Sequence, residues 1–373
     1  MSESANVGLP EGRLVSLDVF RGLTMFVLIA ESALVYEALM DVAQPGSLLE
    51  GIALQFNHHP WNGLRFWDLV QPFFMFIVGV AMAFSVTRRW SAGDTWGQTF
   101  RHIASRCLIL LCLGVSLHIG YSRAMVWELW NVLSQLSVTI LVAFLLFKLP
   151  FRTQLAVSLG LILLSEILYR TFPVAGFDQP FVQGQNFGAW MDTVLMGKIN
   201  PSGWVAVNAL PTSAHTIWGV LAGKLLMSDR AGSEKLKYLL IGGLIGLGVG
   251  YGLDWTGVTP IIKRICTSSF VIVSGGWCLL TLALFYWLMD LKGRRRGTKL
   301  FVIVGMNPIF IYMFAETLGE QWFNDFVAVF THGVLGWLGA GVGTMEVLTA
   351  FIVLGLMSYL CYWMYERRIF IRI

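Results

Sequence analysis

The feature that most constrains this chain is a succession of long, unbroken apolar runs separated by short polar stretches. They fall at about residues 15–39, 66–86, 103–119, 129–147, 155–168, 205–227, 238–253, 269–289, 300–318 and 347–365. A bilayer crossing needs roughly 20 mostly apolar residues. Inside lipid every backbone polar group must find its partner within the protein, so only helices and closed barrels cross. Barrel strands alternate apolar and polar residues with a period of two, whereas these runs are continuous. The sequence therefore predicts an all-α fold, a polytopic transmembrane helical bundle of ten spans. The fifth run is short and is expected to extend to either side. A Gly-rich stretch at 326–342 reads as a re-entrant segment or an eleventh span. Composition agrees: 13% of residues are charged, 56% are hydrophobic, and there are 15 Trp and 39 Gly. Those values exclude an ordinary soluble enzyme, which carries about 25% charge, and a disordered chain, which is poor in apolar residues.

The net charge of +4 is unevenly placed. With ten spans and both ends inside, nineteen of the 26 Lys and Arg fall on cytoplasmic segments and six on outer ones, with Arg21 inside the first span. That asymmetry obeys the positive-inside rule and predicts cytoplasmic termini. An eleventh full span would push the basic tail outside. The longest outer segments are then about 40–65, 169–204 and 319–346. The basic run at 291–299 (LKGRRRGTK) reads as a cytoplasmic loop that sets orientation, with a grip on an anionic ligand as the sharper alternative.

Several function classes drop out. The five Cys form no C-x-x-C pair, so neither a zinc site nor a disulfide framework is expected, and no metal is called for. There is no P-loop and no G-x-G-x-x-G after a strand, hence no soluble nucleotide-binding domain. The basic excess is accounted for by membrane topology rather than by nucleic acid. The N-terminus lacks a basic n-region and a cleavage site, so no cleaved signal peptide is expected. The domain reading is a cytoplasmic tail over 1–12 and a single transmembrane domain over 13–373.

Ionisable residues inside apolar runs are costly and mark function by default. Asp18 and Arg21 stand three apart in the first span and share a helix face, as an ion pair or as a ligand contact at the cytoplasmic edge. Glu31 lies deeper in the same run, as a base or as a buried hydrogen-bond partner. The outer loop then reads Asn57-His58-His59-Pro60-Trp61-Asn62-Gly63 and runs into Phe66-Trp67-Asp68. A neutral imidazole suits proton transfer near pH 7, and Asp68 can orient one of these rings. Asn208, Thr212 and His215 share one face of the sixth run, lining a polar cavity or linking helices. Lys263, Arg264, Thr267 and Ser269 lead into the eighth run. Asn307, Pro308 and Glu316 interrupt the ninth, where Pro frees backbone groups.

Taken in order, several pieces resemble the membrane acetyltransferase family of heparan-alpha-glucosaminide N-acetyltransferase and its bacterial homologues. They are S-L-D-V-F-R-G at Ser16 to Gly22, H-H-P-W-N-G from His58 with the W-D-L-V-Q-P-F-F-M-F-I-V-G run that follows, N-P-S-G at Asn200 to Gly203 with the later Gly219 to Gly223 stretch, T-S-S-F from Thr267, and G-M-N-P-I-F-I-Y from Gly305. The resemblance covers nearly the whole chain from Arg13. It implies an acyltransferase that takes acetyl-CoA from the cytoplasmic side and passes its acetyl group to an amino sugar at the far side. It also maps the family's essential His onto His58. At the outer end of the first span the family often has Asn; here Ser32 stands there, beside Glu31. A homodimer is a further implication.

Acetyl transfer from a thioester to an amine needs a base, an oxyanion stabiliser and close approach. The expected catalytic set is His58 as base or acetyl carrier, with Asp68 and Glu31. Acceptor binding is expected at His59, Asn62, Ser32 and Glu316, and acetyl-CoA binding at Asp18, Arg21, Asn307, His215 and Ser269. Acetyl-CoA enters as a substrate. The expected setting is a bacterial inner membrane. The rival readings are a secondary transporter of a sugar or ion-coupled solute, which also uses broken helices and intramembrane carboxylates, and an O-acyltransferase for a cell-wall glycan.

Overall fold

The computed structural model describes residues 14–371, apart from the side chains at 320 and 321. The expected tail over 1–12 and the boundary at Arg13 lie outside the described residues. In chain order the helices are α1 (Val15–Ser32), α2 (Val35–Val42), α3 (Leu48–Gln55), α4 (Val70–Ser91), α5 (Trp96–Ser122), α6 (Val132–Leu145), α7 (Phe151–Thr171), α8 (Phe187–Met196), α9 (Ala209–Met227), α10 (Gly232–Trp255), α11 (Ser268–Phe285), α12 (Lys299–Val304), α13 (Pro308–Phe314), α14 (Asn324–Trp337) and α15 (Val342–Glu366). A 3₁₀ turn at Phe66–Leu69 precedes α4, and π-helical turns occupy Tyr286–Leu291 and Ala315–Phe323. Among the described residues there is no strand, so the fold is all-α.

All ten apolar runs are helical, but they are not ten uninterrupted spans. Among the described residues, six helical segments are long and apolar enough to cross a bilayer: Phe66–Ser91, Trp96–Ser122, Phe151–Thr171, Gly232–Trp255, Ser268–Leu291 and Val342–Glu366. The first run is a pair, α1 and α2, bent by 59° at Leu34, which sits at φ 61°. The fourth run is a helix of 14 residues. The sixth, α9, is diluted by Thr212, Ser213, His215 and Thr216, all buried. The ninth breaks between Val304 and Pro308, with Asn307 at φ −121°, ψ 54°. A proline disfavours helical geometry in the residue before it and donates no N–H of its own. The Gly-rich stretch near 326–342 contains α14, of 14 residues.

The chain divides into two compact units. Among the described residues, one comprises 14–54 and 281–371; the other runs over Gln55–Leu280. In the first unit α1 packs on α2, α12, α13 and α15. No side chain of its own caps the start of α1. Instead the Val15 and Ser16 amides donate to Asp290 Oδ1 and Oδ2 at 3.2 and 3.3 Å. A carboxylate there satisfies orphan donors and meets the positive end of the helix dipole. Val15, Val19, Met289 and Val302 close a small apolar core behind it.

In the second unit α9 is the hub, packed by α4, α6 and α7. The α4–α9 crossing is at backbone contact. A Cβ on Gly79 would lie 2.1 Å from Thr216 O, and one on Gly219 would lie 2.1 Å from Phe76 O. This is small-residue packing of the kind that joins helices in lipid, where the hydrophobic effect supplies no pull between them. Asn131 caps α6 by accepting from the Ser134 amide at 2.9 Å, and its Nδ2 donates to Gly114 O of α5 at 3.0 Å.

Candidate active site

The second unit gathers three of the five recognised sequence pieces around His58. The H-H-P-W-N-G loop follows α3. Its Gly63 sits at φ 139°, and a Cβ there would lie 2.5 Å from His59 Nε2, so this corner admits only glycine. The Gly63 amide donates to Ile261 O at 2.8 Å, and Trp61 Nε1 donates to Phe181 O at 2.7 Å. These bonds tie the loop to two distant segments of the chain. Arg65 Nη1 donates to the His58 carbonyl at 2.9 Å, which closes the loop on itself before the 3₁₀ turn begins.

Asp68 stands in that turn with its side chain 1% exposed. Its Oδ2 accepts from the Arg65 amide at 2.9 Å and the His59 amide at 3.3 Å. Its Oδ1 lies 3.0 Å from His58 Nδ1 and 3.7 Å from Lys263 Nζ. Lys263 Nζ in turn is 3.1 Å from the same His58 Nδ1. Two backbone amides, an imidazole and an ammonium thus converge on one carboxylate. The partners leave Asp68 Oδ2 no role except acceptor and present Oδ1 to the histidine. With its proton on Nδ1 the ring donates to Asp68, and Nε2 keeps its lone pair.

Aromatic rings wall the imidazole. Trp204 meets it edge-on at 5.4 Å and Trp67 is tilted at 6.1 Å. Lys263 Nζ lies 5.2 Å, and the Arg264 guanidinium 5.9 Å, from the centre of the Trp204 ring. The segment carrying both cations is held by Asn208 Nδ2, which donates to Arg264 O at 2.8 Å, and by Arg264 Nη1, which donates to Ser202 O. Burial is the main force on the His58 imidazole, and the Lys263 charge adds to it. Against a smaller opposite pull from Asp68 they push its pKa down to about 4. The ring is neutral at pH 7, 36% exposed, and oriented. That combination suits a base or nucleophile acting through Nε2. His59 is also lowered, by burial and then by Arg65.

The remaining expected site residues fall in two groups. In the second unit, Asn62 is exposed. His215 is buried, with Nε2 3.0 Å from Val271 O and 2.9 Å from Ser274 Oγ. Ser269 is buried and donates to Pro260 O at 2.7 Å. His215 links α9 to α11, and Ser269 closes the turn before α11. These bonds engage both residues within the protein.

In the first unit the other two sequence pieces meet each other. Arg21 pairs with Asp18 at 2.8 Å, and its Nε donates to Gly305 O at 2.8 Å. Asn307 donates to Ile369 O at 2.9 Å and accepts from the Ile371 amide at 2.8 Å, so its amide is engaged by the chain's own C-terminal segment. Glu31 is exposed at the end of α1 rather than deep within a span, and Glu316 is half-buried in the π-helical turn. Ser32 Oγ donates to Ala315 O at 2.9 Å, while its carbonyl accepts from Asn324 Nδ2 at 2.7 Å. Those bonds stitch α1 to the segment after α13.

Sequence reasoning assigned no site role to Lys263, Arg264, Arg65 or Trp204. The available signal was their occurrence beside the N-P-S-G-W and T-S-S-F pieces; their convergence is a tertiary fact. A second cluster was also missed. His118 Nδ1 lies 2.6 Å from Glu128 Oε2, Lys198 pairs with Glu128, and Trp130 Nε1 donates to the buried Asp192 at 2.7 Å. Burial raises the Asp192 carboxyl to about 6.

Comparison with known proteins identifies the family of the chain. The family model described as "Heparan-alpha-glucosaminide N-acetyltransferase, catalytic" matches residues 13–249. Heparan-alpha-glucosaminide N-acetyltransferase of Homo sapiens is 25% identical over 372 residues, covering 83% of this chain and 54% of that protein. The Mus musculus protein of the same name matches with the same identity and coverage. This chain thus spans about half the length of the curated relatives it matches. With the family model covering more than half of its residues, the chain belongs to the heparan-alpha-glucosaminide N-acetyltransferase catalytic family.

Proposed function

We propose that this protein is a membrane N-acetyltransferase that moves the acetyl group of acetyl-CoA to the amine of a glucosamine-type sugar. The observation that carries the reading is the neutral, oriented imidazole of His58 against the buried Asp68, on a chain whose relatives bear the name of such an enzyme. In this scheme the amine nitrogen attacks the thioester carbonyl carbon. As the C–N bond forms, the nitrogen turns strongly acidic, and His58 Nε2 takes its proton. The C–S bond then breaks, and the CoA thiolate leaves and is reprotonated from His58. Asp68 holds the ring in the tautomer that frees Nε2, as an orienting carboxylate does beside a catalytic histidine. Following the positive-inside rule, we place the basic segments on the cytoplasmic face of a bacterial inner membrane.

The test uses the full chain, purified in detergent, with acetyl-CoA and glucosamine. CoA thiol release and N-acetylglucosamine are measured together by thiol titration and mass spectrometry. The expected result is stoichiometric formation of both, falling to background in His58→Gln. Release that survives in His58→Gln, or no release with any amino sugar, overturns the reading.

A further inference from the structure

A carboxylate beside an imidazole has two effects that conflict in this site. It fixes the ring by accepting from Nδ1–H. It also attracts a second proton onto the ring, which would occupy the Nε2 lone pair. The structure holds a counterweight at the same edge of the ring. Lys263 Nζ lies 3.1 Å from His58 Nδ1 and 3.7 Å from Asp68 Oδ1, with its side chain 7% exposed. The Lys263 cation is therefore little screened by water, and its charge lies as close to the ring as the carboxylate's. The other charged or titratable groups facing His58 are Arg264, from the same segment as Lys263, and Arg65 and His59, from its own loop. Asp68 supplies the negative charge that raises the affinity of this ring for protons.

We infer that Lys263 is a positioning residue for acetyl transfer: its ammonium cancels the charge of Asp68 at the His58 ring, so the carboxylate orients the imidazole without protonating it. Asp68 and Lys263 together amount to a neutral clamp. Asp68 supplies direction through a hydrogen bond, and Lys263 removes the electrostatic penalty of having an anion there. A cation–π contact with Trp204 helps to hold the ammonium beside Nδ1. The inference rests on the acetyl-transfer reading for its purpose, but its first test needs no turnover.

That test is the rate at which diethyl pyrocarbonate carbethoxylates His58 as a function of pH, read by peptide mass spectrometry on the full-length protein. The reagent attacks only neutral imidazole, so the midpoint of the profile reports protonation of this ring. In the native protein the midpoint is expected to stay below about pH 5. In Lys263→Met it should rise by about one unit or more, toward or past the ordinary histidine value of roughly 6.5. Lys263→Arg, which keeps the charge, should hold it low. Lys263→Gln serves the same comparison if the Met variant does not fold, and the labelling of the other histidines reports folding in each. A profile that does not move in the uncharged variants, or that moves as far in Lys263→Arg, overturns the inference. The second readout is kcat/KM for acetyl transfer against pH. Lys263→Met should gain an acid limb displaced upward by the same interval, with activity recovering at high pH. If no amino sugar is acetylated at all, the functional reading fails, and the labelling profile still decides the role of Lys263.

Discussion

Replacing Asp68 with Asn tests the site most sharply, because the surrounding donors dictate how the new amide must lie. Two backbone amides, from Arg65 and His59, point at Oδ2. The amide oxygen of Asn must stay there, since turning it would set its NH₂ against two N–H donors. The NH₂ group then faces His58 Nδ1 and Lys263 Nζ, where Oδ1 stood at 3.0 and 3.7 Å. With Oδ1 replaced by NH₂, Nδ1 faces two donors, that group and Lys263 Nζ, and has lost its acceptor, so the ring proton moves to Nε2 and the reactive lone pair is lost. Such a tautomer switch in a serine protease lowers kcat by about 10⁴, and a loss of 10³ to 10⁴ here corresponds to about 4–5.5 kcal/mol of barrier. The same change strips the buried Lys263 of its counter-ion, and breaking a buried pair in this way costs about 3–5 kcal/mol of stability. The assay is kcat/KM for acetyl-CoA with glucosamine, paired with thermal unfolding in the same detergent. Activity within about tenfold of the native protein, in a chain that is folded, would refute the argument that Asp68 orients His58.

Three further outcomes follow from the geometry. Gly219→Val drives a side chain into α4, where a Cβ alone would lie 2.1 Å from Phe76 O; overpacking of about 1–3 kcal/mol should appear as a lowered unfolding midpoint, and an unchanged midpoint would show that the helices do not cross at backbone contact. Asp290→Ala leaves the Val15 and Ser16 amides without their acceptor and should cost about 0.5–2 kcal/mol, with Asp290→Asn recovering part of it. With His58 pushed down to about 4, acetyl transfer corrected for the fraction of acceptor present as free amine should run flat from roughly pH 5.5 upward and lose its base only near pH 4. The stability sign agrees: between about pH 4 and 6.5 the unfolded chain binds a proton at His58 that the folded chain does not, so this residue favours unfolding increasingly as pH falls through that window and has no such effect above it. An acid limb centred near pH 6.5 would contradict the buried, cation-flanked placement of the ring.

Much of this molecule was legible without coordinates. Apolar runs too long and too continuous for strands forced helices, because lipid leaves backbone groups no other partner. Helix existence followed at all ten runs. Continuity did not follow, because continuity depends on single residues. Leu34 takes a left-handed conformation that bends α1 from α2, and the Asn307–Pro308 step opens the ninth run. The pairing of Asp18 with Arg21 was also readable, since residues three apart share a helix face whatever surrounds them. Where contacts are long-range, reading by type names candidates without their partners. His215, Ser269 and Asn307 read as candidate ligand contacts, and the structure adds that each is also engaged by backbone or side-chain groups of the protein.

The sequence alone determined the solvent, the helical class, the loop bearing His58 and the family. All of these depend on composition, period or local order along the chain. Tertiary structure decided what sits around His58: Asp68 and Lys263 stand 195 positions apart in the chain, yet both side chains reach the same ring nitrogen. No periodicity encodes that meeting. It arises because the loop carrying His58 hydrogen-bonds to the segment before α11, through Gly63 and Ile261. That bond carries a carboxylate and an ammonium to one edge of an imidazole. The charge state of the histidine is set first by its burial and then by both of these charges together, not by either residue that the sequence displays.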